Sequence, residues 1–212
     1  PITLILAHGA GAPMDSPFMH TVAEALGDEH LRVVRFEFSY MAARRENNPR
    51  RAPDREPALL EAWRQAVARW GGTPPLIIGG KSLGGRIASM VADELGVAGL
   101  VCLGYPFHPP GNPDRTRVKH LEAMRTPALI VQGTRDSFGR PEEVAGYHLS
   151  RQIQVAWIED GDHSLKPRGL GGAKRSRANE SASRAPGSGS GRTAAGNLEE
   201  AIAHVRTFCE HV

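Results

Sequence analysis

One serine stands in a setting that suits a nucleophile. The residues Gly80-Lys81-Ser82-Leu83-Gly84 follow an apolar run and fit the pattern G-x-S-x-G. In this pattern a tight turn from strand to helix exposes the serine, and glycines two positions away let strand and helix pass closely. The N-terminus of the helix then offers N–H groups to negative charge that develops beside the serine. The pattern is short enough to arise by chance, so the motif alone leaves open a simple glycine-rich turn.

Two further residues would complete the chemistry of Ser82. Asp136 and His163 each follow a later predicted strand, which gives the chain order Ser, Asp, His. A free hydroxyl is a poor nucleophile near neutral pH, whereas histidine can take its proton and return it to the leaving group. Asp136 would bind the other ring nitrogen and stabilise the imidazolium, although it could instead cap a turn. Asp160 and Asp162 are weaker candidates because they lie too near His163 to come from a separate strand end.

Backbone N–H groups are the expected stabilisers of an oxyanion at this site. One is that of Leu83, directly after the serine and at the predicted start of a helix. The other belongs to the loop of small residues after the first strand, where Ala10 is the first choice and Gly11 the second. This chemistry requires neither a metal ion nor an organic cofactor, and we expect none.

Arginines after the second predicted strand are candidates for substrate binding. The stretch that follows Tyr40 contains five arginines and two prolines and is predicted to be a loop. Tyr40, Arg44 and Arg45 are candidates for steering an anionic group of the substrate toward the strand ends. The alternative is a solvated excursion. Arg86 and Arg135 are candidates for the same role or for tying adjacent loops together.

Six apolar runs alternate with amphipathic stretches along the chain. This alternation predicts a doubly wound, mostly parallel α/β sheet with helices on both faces, in which ligands bind at the carboxyl ends of the strands. The predicted strands cover 2–7, 31–38, 76–79, 98–103, 128–132 and 154–158. The predicted helices begin near 17, 56, 83, 118, 141 and 198.

Composition narrows the classes of protein. A chain of 212 residues with 40% hydrophobic content suits one soluble domain, here 1–212. Six of the 26 basic residues lie in 168–192. The rest of the chain has 20 basic and 22 acidic residues, so it has no excess of positive charge. The charge therefore gives no support for nucleic-acid binding. No apolar run could span a membrane, no secretory signal is seen, and the two isolated cysteines favour the cytoplasm.

The stretch 168–197 differs in composition from the rest of the chain. It is rich in glycine, serine, alanine and arginine and has almost no large apolar residue. We expect a flexible insertion within the single domain, either a linker or a lid.

These motifs together resemble those of a compact α/β-hydrolase without a large cap domain. More narrowly, the chain resembles the bacterial hydrolases related to dienelactone-hydrolase-like enzymes and to the group of non-specific-lethal complex subunit 3 and testis-expressed protein 30. The resemblance implies a serine hydrolase of carboxylesterase or thioesterase type that cleaves small acyl esters. The eukaryotic relative implies an alternative, a non-catalytic binding or scaffold module; the oligomeric state is left open. The residues that carry the resemblance are 8–12, 40–41, 80–86, 104–111, 133–136 and 161–165.

Overall fold

Six parallel strands form the predicted sheet, in the order β2-β1-β3-β4-β5-β6. The structure, a computed structural model, describes residues 1–72, 75–169 and 191–212. Its strands are apolar over most of their length, as is usual for a parallel sheet covered on both faces. They are β1 (Ile2–Ala7), β2 (Leu31–Phe36), β3 (Leu76–Lys81), β4 (Gly99–Leu103), β5 (Ala128–Gly133) and β6 (Ile153–Ile158). The prediction of a doubly wound, mostly parallel α/β sheet is confirmed.

Helices cover both faces of the sheet. Alternate residues of each strand point to opposite sides, so each strand contributes apolar side chains to two cores. Ile5 and Ala7 of β1 belong to one core with Trp63, whereas Leu4 and Leu6 belong to a second core. The first core includes residues of α2, α3, α4 and α5, and the second includes residues of α1 and α6. The helices are α1 (Pro17–Leu26), α2 (Ser39–Glu46), α3 (Glu56–Trp70), α4 (Leu83–Leu95), α5 (Pro141–Val144) and α6 (Ala194–Glu210).

The predicted arginine loop is wrong at its start, where the structure has helix α2. The carboxylate of Asp54 explains this helix: its Oδ2 accepts hydrogen bonds from the Ser39 hydroxyl (2.6 Å) and from the Tyr40 backbone N–H (3.1 Å). The bond from the Tyr40 N–H is of the kind that a capping side chain makes in the first turn of a helix. The cap comes from a residue far along the chain, so a local pattern does not reveal it.

Three other helices differ from the prediction, whereas the predicted strand ends lie within two residues of the observed ones. The helix predicted near 118 is a short 3₁₀ turn, Lys119–Leu121, and the one beginning at 141 ends at Val144. Helix α6 begins at Ala194 rather than 198, because the Thr193 hydroxyl caps it by accepting from Gly196 N–H at 2.9 Å. The last four residues of the predicted insertion 168–197 are therefore helical. Most of that insertion, 170–190, lies outside the described residues.

The carboxyl edge of the sheet carries no large cap domain within the described ranges. None of the helices in the described part of the chain is long and apolar enough to cross a membrane. The loops after β1, β3, β5 and β6 meet at this edge. There they bring together the residues that the sequence singled out.

Candidate active site

A strained turn between β3 and α4 holds Ser82. Its backbone has φ 48° and ψ −114°, a conformation that non-glycine residues seldom adopt and that costs about 1–3 kcal/mol. The neighbouring strand holds the turn in place, because Ser82 N–H donates to the carbonyl of Leu103 at 3.0 Å. Such strain persists only where the surrounding structure fixes it, and it is typical of functional sites.

Close contact with β1 explains the two glycines of the motif. A Cβ on Gly80 would lie 2.2 Å from the carbonyl oxygen of Ala7. A Cβ on Gly84 would lie 2.5 Å from the carbonyl oxygens of both Ala7 and His8. All of these atoms belong to backbone, which cannot move aside, so only glycine fits at either position.

Ser82, His163 and Asp136 form one hydrogen-bonded chain. The Ser82 Oγ lies 2.8 Å from His163 Nε2, and His163 Nδ1 lies 2.8 Å from Asp136 Oδ2. Because a carboxylate only accepts hydrogen bonds, Nδ1 carries the proton, and Nε2 is free to accept from the hydroxyl. The three predicted residues are thus brought together at the ends of β3, β5 and β6, in an order that suits proton transfer from Ser82.

Gln132 and Phe138, which the sequence did not single out, support this hydrogen-bonded chain. Asp136 is completely buried, and besides His163 it accepts from Gln132 Nε2 at 3.0 Å and from Phe138 N–H at 2.8 Å. The ring of Phe138 also stacks on the imidazole of His163, with centroids 4.1 Å apart. A glutamine at the end of the otherwise apolar strand β5 was the available signal, since a buried amide needs partners.

Gln132 joins Asp136 to two neighbouring segments. Its side-chain oxygen accepts from Tyr105 N–H at 2.8 Å, and its amide nitrogen lies 3.1 Å from the Tyr105 carbonyl and 3.2 Å from that of Gly139. The side chain is fully buried and every polar atom is used. Gln132 therefore fixes the carboxylate of Asp136 relative to the loops after β4 and β5.

The loop after β1 lies against Ser82 and is held from behind. Its Ala10 carbonyl accepts from the Tyr40 hydroxyl at 3.1 Å and from Arg44 Nη1 at 3.0 Å. A trans peptide points its N–H opposite to its carbonyl, so Gly11 N–H faces away from these two side chains. Ala10 and Gly11 both border cavities at Ser82, and Leu83 is the first residue of α4.

His8 fixes the preceding peptide of the same loop. Its Nδ1 lies 2.7 Å from the Gly9 carbonyl, and its Nε2 accepts from Phe38 N–H at 3.1 Å. The ring is therefore neutral, and burial lowers its pKa below the usual value. The Ala10 N–H, across the peptide from the Gly9 carbonyl, consequently points away from His8.

The arginines predicted to bind substrate are occupied elsewhere. Arg44 donates to the carbonyls of Ala10 and Arg51, and Arg45 pairs with Asp15 and with Glu37, the latter at 2.9 Å. Tyr40 is fully buried, and burial raises its pKa to about 12. None of the three predicted residues lines a cavity at Ser82; their contacts instead support the loop after β1.

Arg135 likewise has a structural role. It pairs with the carboxylate of Asp160 at 2.8 Å and donates to the Asp160 carbonyl at 2.9 Å. These contacts tie the loop after β5 to the loop after β6. Of the alternatives left open by the sequence, the structure supports the tying of loops.

Two cavities open beside Ser82. The arginine cavity, of about 370 Å³, has Arg86 and Arg117 on its wall, and Ala10, Leu83 and Phe138 also border it. The histidine cavity, of about 310 Å³, is bordered by His163, Lys81, Phe18 and the loop 9–12. Two larger grooves, of about 570 and 650 Å³, lie along α6 and are lined by none of the three residues of the hydrogen-bonded chain.

Lys81 joins the nucleophile strand to the histidine loop. Its ammonium donates to the carbonyl of His163 and lies 5.6 Å from the centre of the Phe18 ring. Burial lowers its pKa to about 8, while the negative charges of Asp136 and Asp162 act in the opposite direction. Lys81 therefore holds the backbone that carries His163.

The six-stranded sheet and its serine turn define the protein as an α/β hydrolase. Residues 1–188 match the sequence profile of the alpha/beta hydrolase domain family, and the chain belongs to this family. The match includes all three residues of the hydrogen-bonded chain.

Solved structures show the same fold at low sequence identity. A putative hydrolase of the α/β superfamily from Xanthomonas campestris is 19% identical, with 99% of this chain and 96% of that one covered, at a TM-score of 0.62. An α/β serine hydrolase homologue from Coxiella burnetii is 24% identical over 76% of each chain, at a TM-score of 0.58. A dienelactone hydrolase from Anabaena variabilis is 18% identical, with 99% and 85% covered, at a TM-score of 0.62.

Proposed function

We propose that this protein is a serine hydrolase that cleaves esters or thioesters of small acyl groups. The single observation that carries the proposal is the chain of two 2.8 Å contacts from Ser82 through His163 to Asp136. The strained backbone of Ser82 is a second support, since it exposes the hydroxyl at the carboxyl edge of the sheet.

The reaction follows from the roles that these atoms can take. Ser82 Oγ attacks the carbonyl carbon while His163 Nε2 takes its proton, and the developing imidazolium is stabilised by the buried carboxylate of Asp136. His163 then gives the proton to the leaving oxygen or sulfur, and an acyl-enzyme remains on Ser82. A water molecule donates a proton to His163 and attacks the acyl carbon. The bond from that carbon to Ser82 Oγ then breaks, His163 returns the proton to the serine oxygen, and the acid is released.

Backbone N–H groups of Leu83 and Ala10, with Gly11 as the second choice, would bind the oxyanion. Leu83 contributes the N-terminal end of α4, where the helix dipole favours negative charge. Ala10 borders both cavities and belongs to the loop that His8, Tyr40 and Arg44 hold rigid. A rigid donor loses little free energy to reorganisation when charge develops.

The size of the cavities supports small substrates. At about 370 and 310 Å³, the two spaces beside Ser82 are at the small end of ligand sites, which usually span about 300–1,000 Å³. Bulky lipids would find no apolar cap over this edge in the described residues. The similarity of the fold to a dienelactone hydrolase is compatible with small esters, and the narrower kinship to such enzymes is part of this proposal.

Hydrolysis of p-nitrophenyl acetate and butyrate, and of butyryl thioesters, tests the proposal. We expect Ser82→Ala to lower kcat by at least about 10³-fold, and His163→Gln to do the same, because the two residues act as one unit. Thr207→Ala, which removes an exposed hydroxyl from α6, is the matched control and should retain full activity. A folded protein that hydrolyses none of these compounds would contradict the proposal and support a binding module.

A further inference from the structure

Arg117 lies half-buried on the wall of the arginine cavity, where no acidic side chain of the described residues pairs with it. Its backbone is fixed at both ends: the N–H donates to the Phe107 carbonyl at 2.7 Å, and its carbonyl accepts from the Tyr105 hydroxyl at 2.9 Å. Its guanidinium makes no ion pair and no hydrogen bond with the described residues. The chain thus holds a positive charge at the wall of a cavity that also borders Ser82.

The positive charges around Arg117 increase the stabilisation that a bound anion would give to its guanidinium. Burial lowers its pKa, and the neighbouring Arg86 and Arg115 act in the same direction. The two acidic residues of the cavity wall are engaged by other groups. Glu56 pairs with Arg86 at 3.2 Å, and Asp54 caps α2 and pairs with Arg51 at 3.3 Å. Among the described residues of this cavity wall, Arg117 is therefore the cation that remains for a ligand.

The position of His163 tells which part of an ester lies beside Arg117. In the proposed reaction His163 must protonate the leaving oxygen, so the leaving alcohol has to lie next to its ring. His163 borders the histidine cavity but not the arginine cavity. The alcohol then occupies the histidine cavity, and the acyl group extends into the arginine cavity.

We propose that Arg117 binds a carboxylate on the acyl group, so that the preferred substrates are half-esters or half-thioesters of short dicarboxylic acids. The inference rests on the proposed hydrolase function. The ester C–O or thioester C–S bond breaks, the alcohol or thiol leaves with the proton from His163, and water supplies the oxygen of the new carboxylate. The product is a free dicarboxylate. A guanidinium suits the distal carboxylate because its planar N–H donors bind two oxygens at once.

The test compares two ethyl esters of similar shape and different charge. Monoethyl glutarate carries the distal carboxylate, and ethyl pentanoate has a methyl group in its place. We expect the wild type to prefer the charged ester in kcat/KM by at least about tenfold, and Arg117→Gln to lose that preference mainly through a higher KM for the half-ester. Arg115→Gln is the matched control, because Arg115 is exposed two residues away and does not line the cavity.

Each result separates the inference from the proposed function. Hydrolysis of both esters with the same ratio in the wild type and in Arg117→Gln would overturn the role of Arg117 and leave the hydrolase proposal standing. Hydrolysis of neither ester nor of any p-nitrophenyl ester would overturn the hydrolase proposal itself. A preference for acetoxyacetate, whose carboxylate lies on the leaving group, over monoethyl glutarate would overturn the assignment of the acyl group to the arginine cavity.

Discussion

Replacing Gln132 with leucine removes the buried amide that holds Asp136. The amide oxygen accepts one hydrogen bond from Tyr105 N–H, and the two N–H groups of the amide nitrogen are shared among three acceptors, Asp136 Oδ2 and the carbonyls of Tyr105 and Gly139. The Tyr105 carbonyl keeps a bond from Phe107 N–H at 3.1 Å, whereas the Tyr105 N–H and the Gly139 carbonyl have no other partner among the described residues. Each of these two buried groups costs about 1–3 kcal/mol when it is left unpaired, so we expect the free energy of unfolding to fall by about 2–6 kcal/mol.

The same substitution should slow the chemical step. Asp136 would keep two of its three donors and lose one hydrogen bond to its negative charge, a contribution of about 1.5–3 kcal/mol. In the transition state His163 is an imidazolium that Asp136 stabilises. If the transition state loses the whole contribution of this hydrogen bond, kcat decreases by about 10- to 100-fold. KM should change little, because Gln132 is fully buried and lines neither cavity.

The assay measures kcat and KM for p-nitrophenyl butyrate well below the melting temperature, together with unfolding in urea. Thr126→Val is the matched control, since it removes a buried hydroxyl bonded to Asp93 at 2.6 Å just before β5 begins, at the opposite end of that strand. We expect it to lower stability and leave kcat unchanged. A Gln132→Leu protein that is folded, destabilised and fully active would refute the link from Gln132 through Asp136 to catalysis.

Three further substitutions test the supports of the site. Gly84→Ala places a Cβ 2.5 Å from two backbone carbonyl oxygens; we expect a loss of about 3 kcal/mol in urea unfolding, and Gly169→Ala, which has open space, should show none. Burial lowers the pKa of Lys81 from 10.5 to about 8, so the unfolded chain binds more protons between these values and stability rises with pH there. Urea unfolding at pH 7.5 and 10.5 should show the wild type gaining up to about 3 kcal/mol relative to Lys81→Met, and equal pH dependence of the two would contradict the pKa. Tyr40→Phe removes one donor to the Ala10 carbonyl and should lower kcat about 3- to 10-fold with KM unchanged; an unchanged kcat would show that the loop needs no such support.

The sheet could be predicted because its strands are continuous apolar runs with clear ends. β4 and β5 are buried along their whole length and β1 at every residue but the first, and in a parallel sheet that burial leaves a simple signal in the sequence. The meeting of Ser82, Asp136 and His163 followed from the same rule, because the carboxyl ends of parallel strands share one edge.

Long-range polar contacts could not be predicted from local patterns. Helix α2 depends on Asp54, which lies beyond the helix in the chain and caps its first turn. Arg44 and Arg45 lie in a stretch whose composition is typical of a solvated loop. Their partners nevertheless come from the loop after β1, from Glu37 and from Arg51. Arg117 belongs to no sequence motif, and only the cavity that it lines distinguishes it from the exposed Arg115.

Covalent labelling with a fluorophosphonate tests most directly whether Ser82 is the nucleophile. Trypsin cuts after Lys81 and Arg86, so the labelled serine would be carried on the peptide 82–86, which contains no other hydroxyl side chain. We predict one adduct per chain, on this peptide, and no adduct on Ser82→Ala. A folded wild-type protein that stays unlabelled, or that carries its adduct on a different residue, would contradict the assignment.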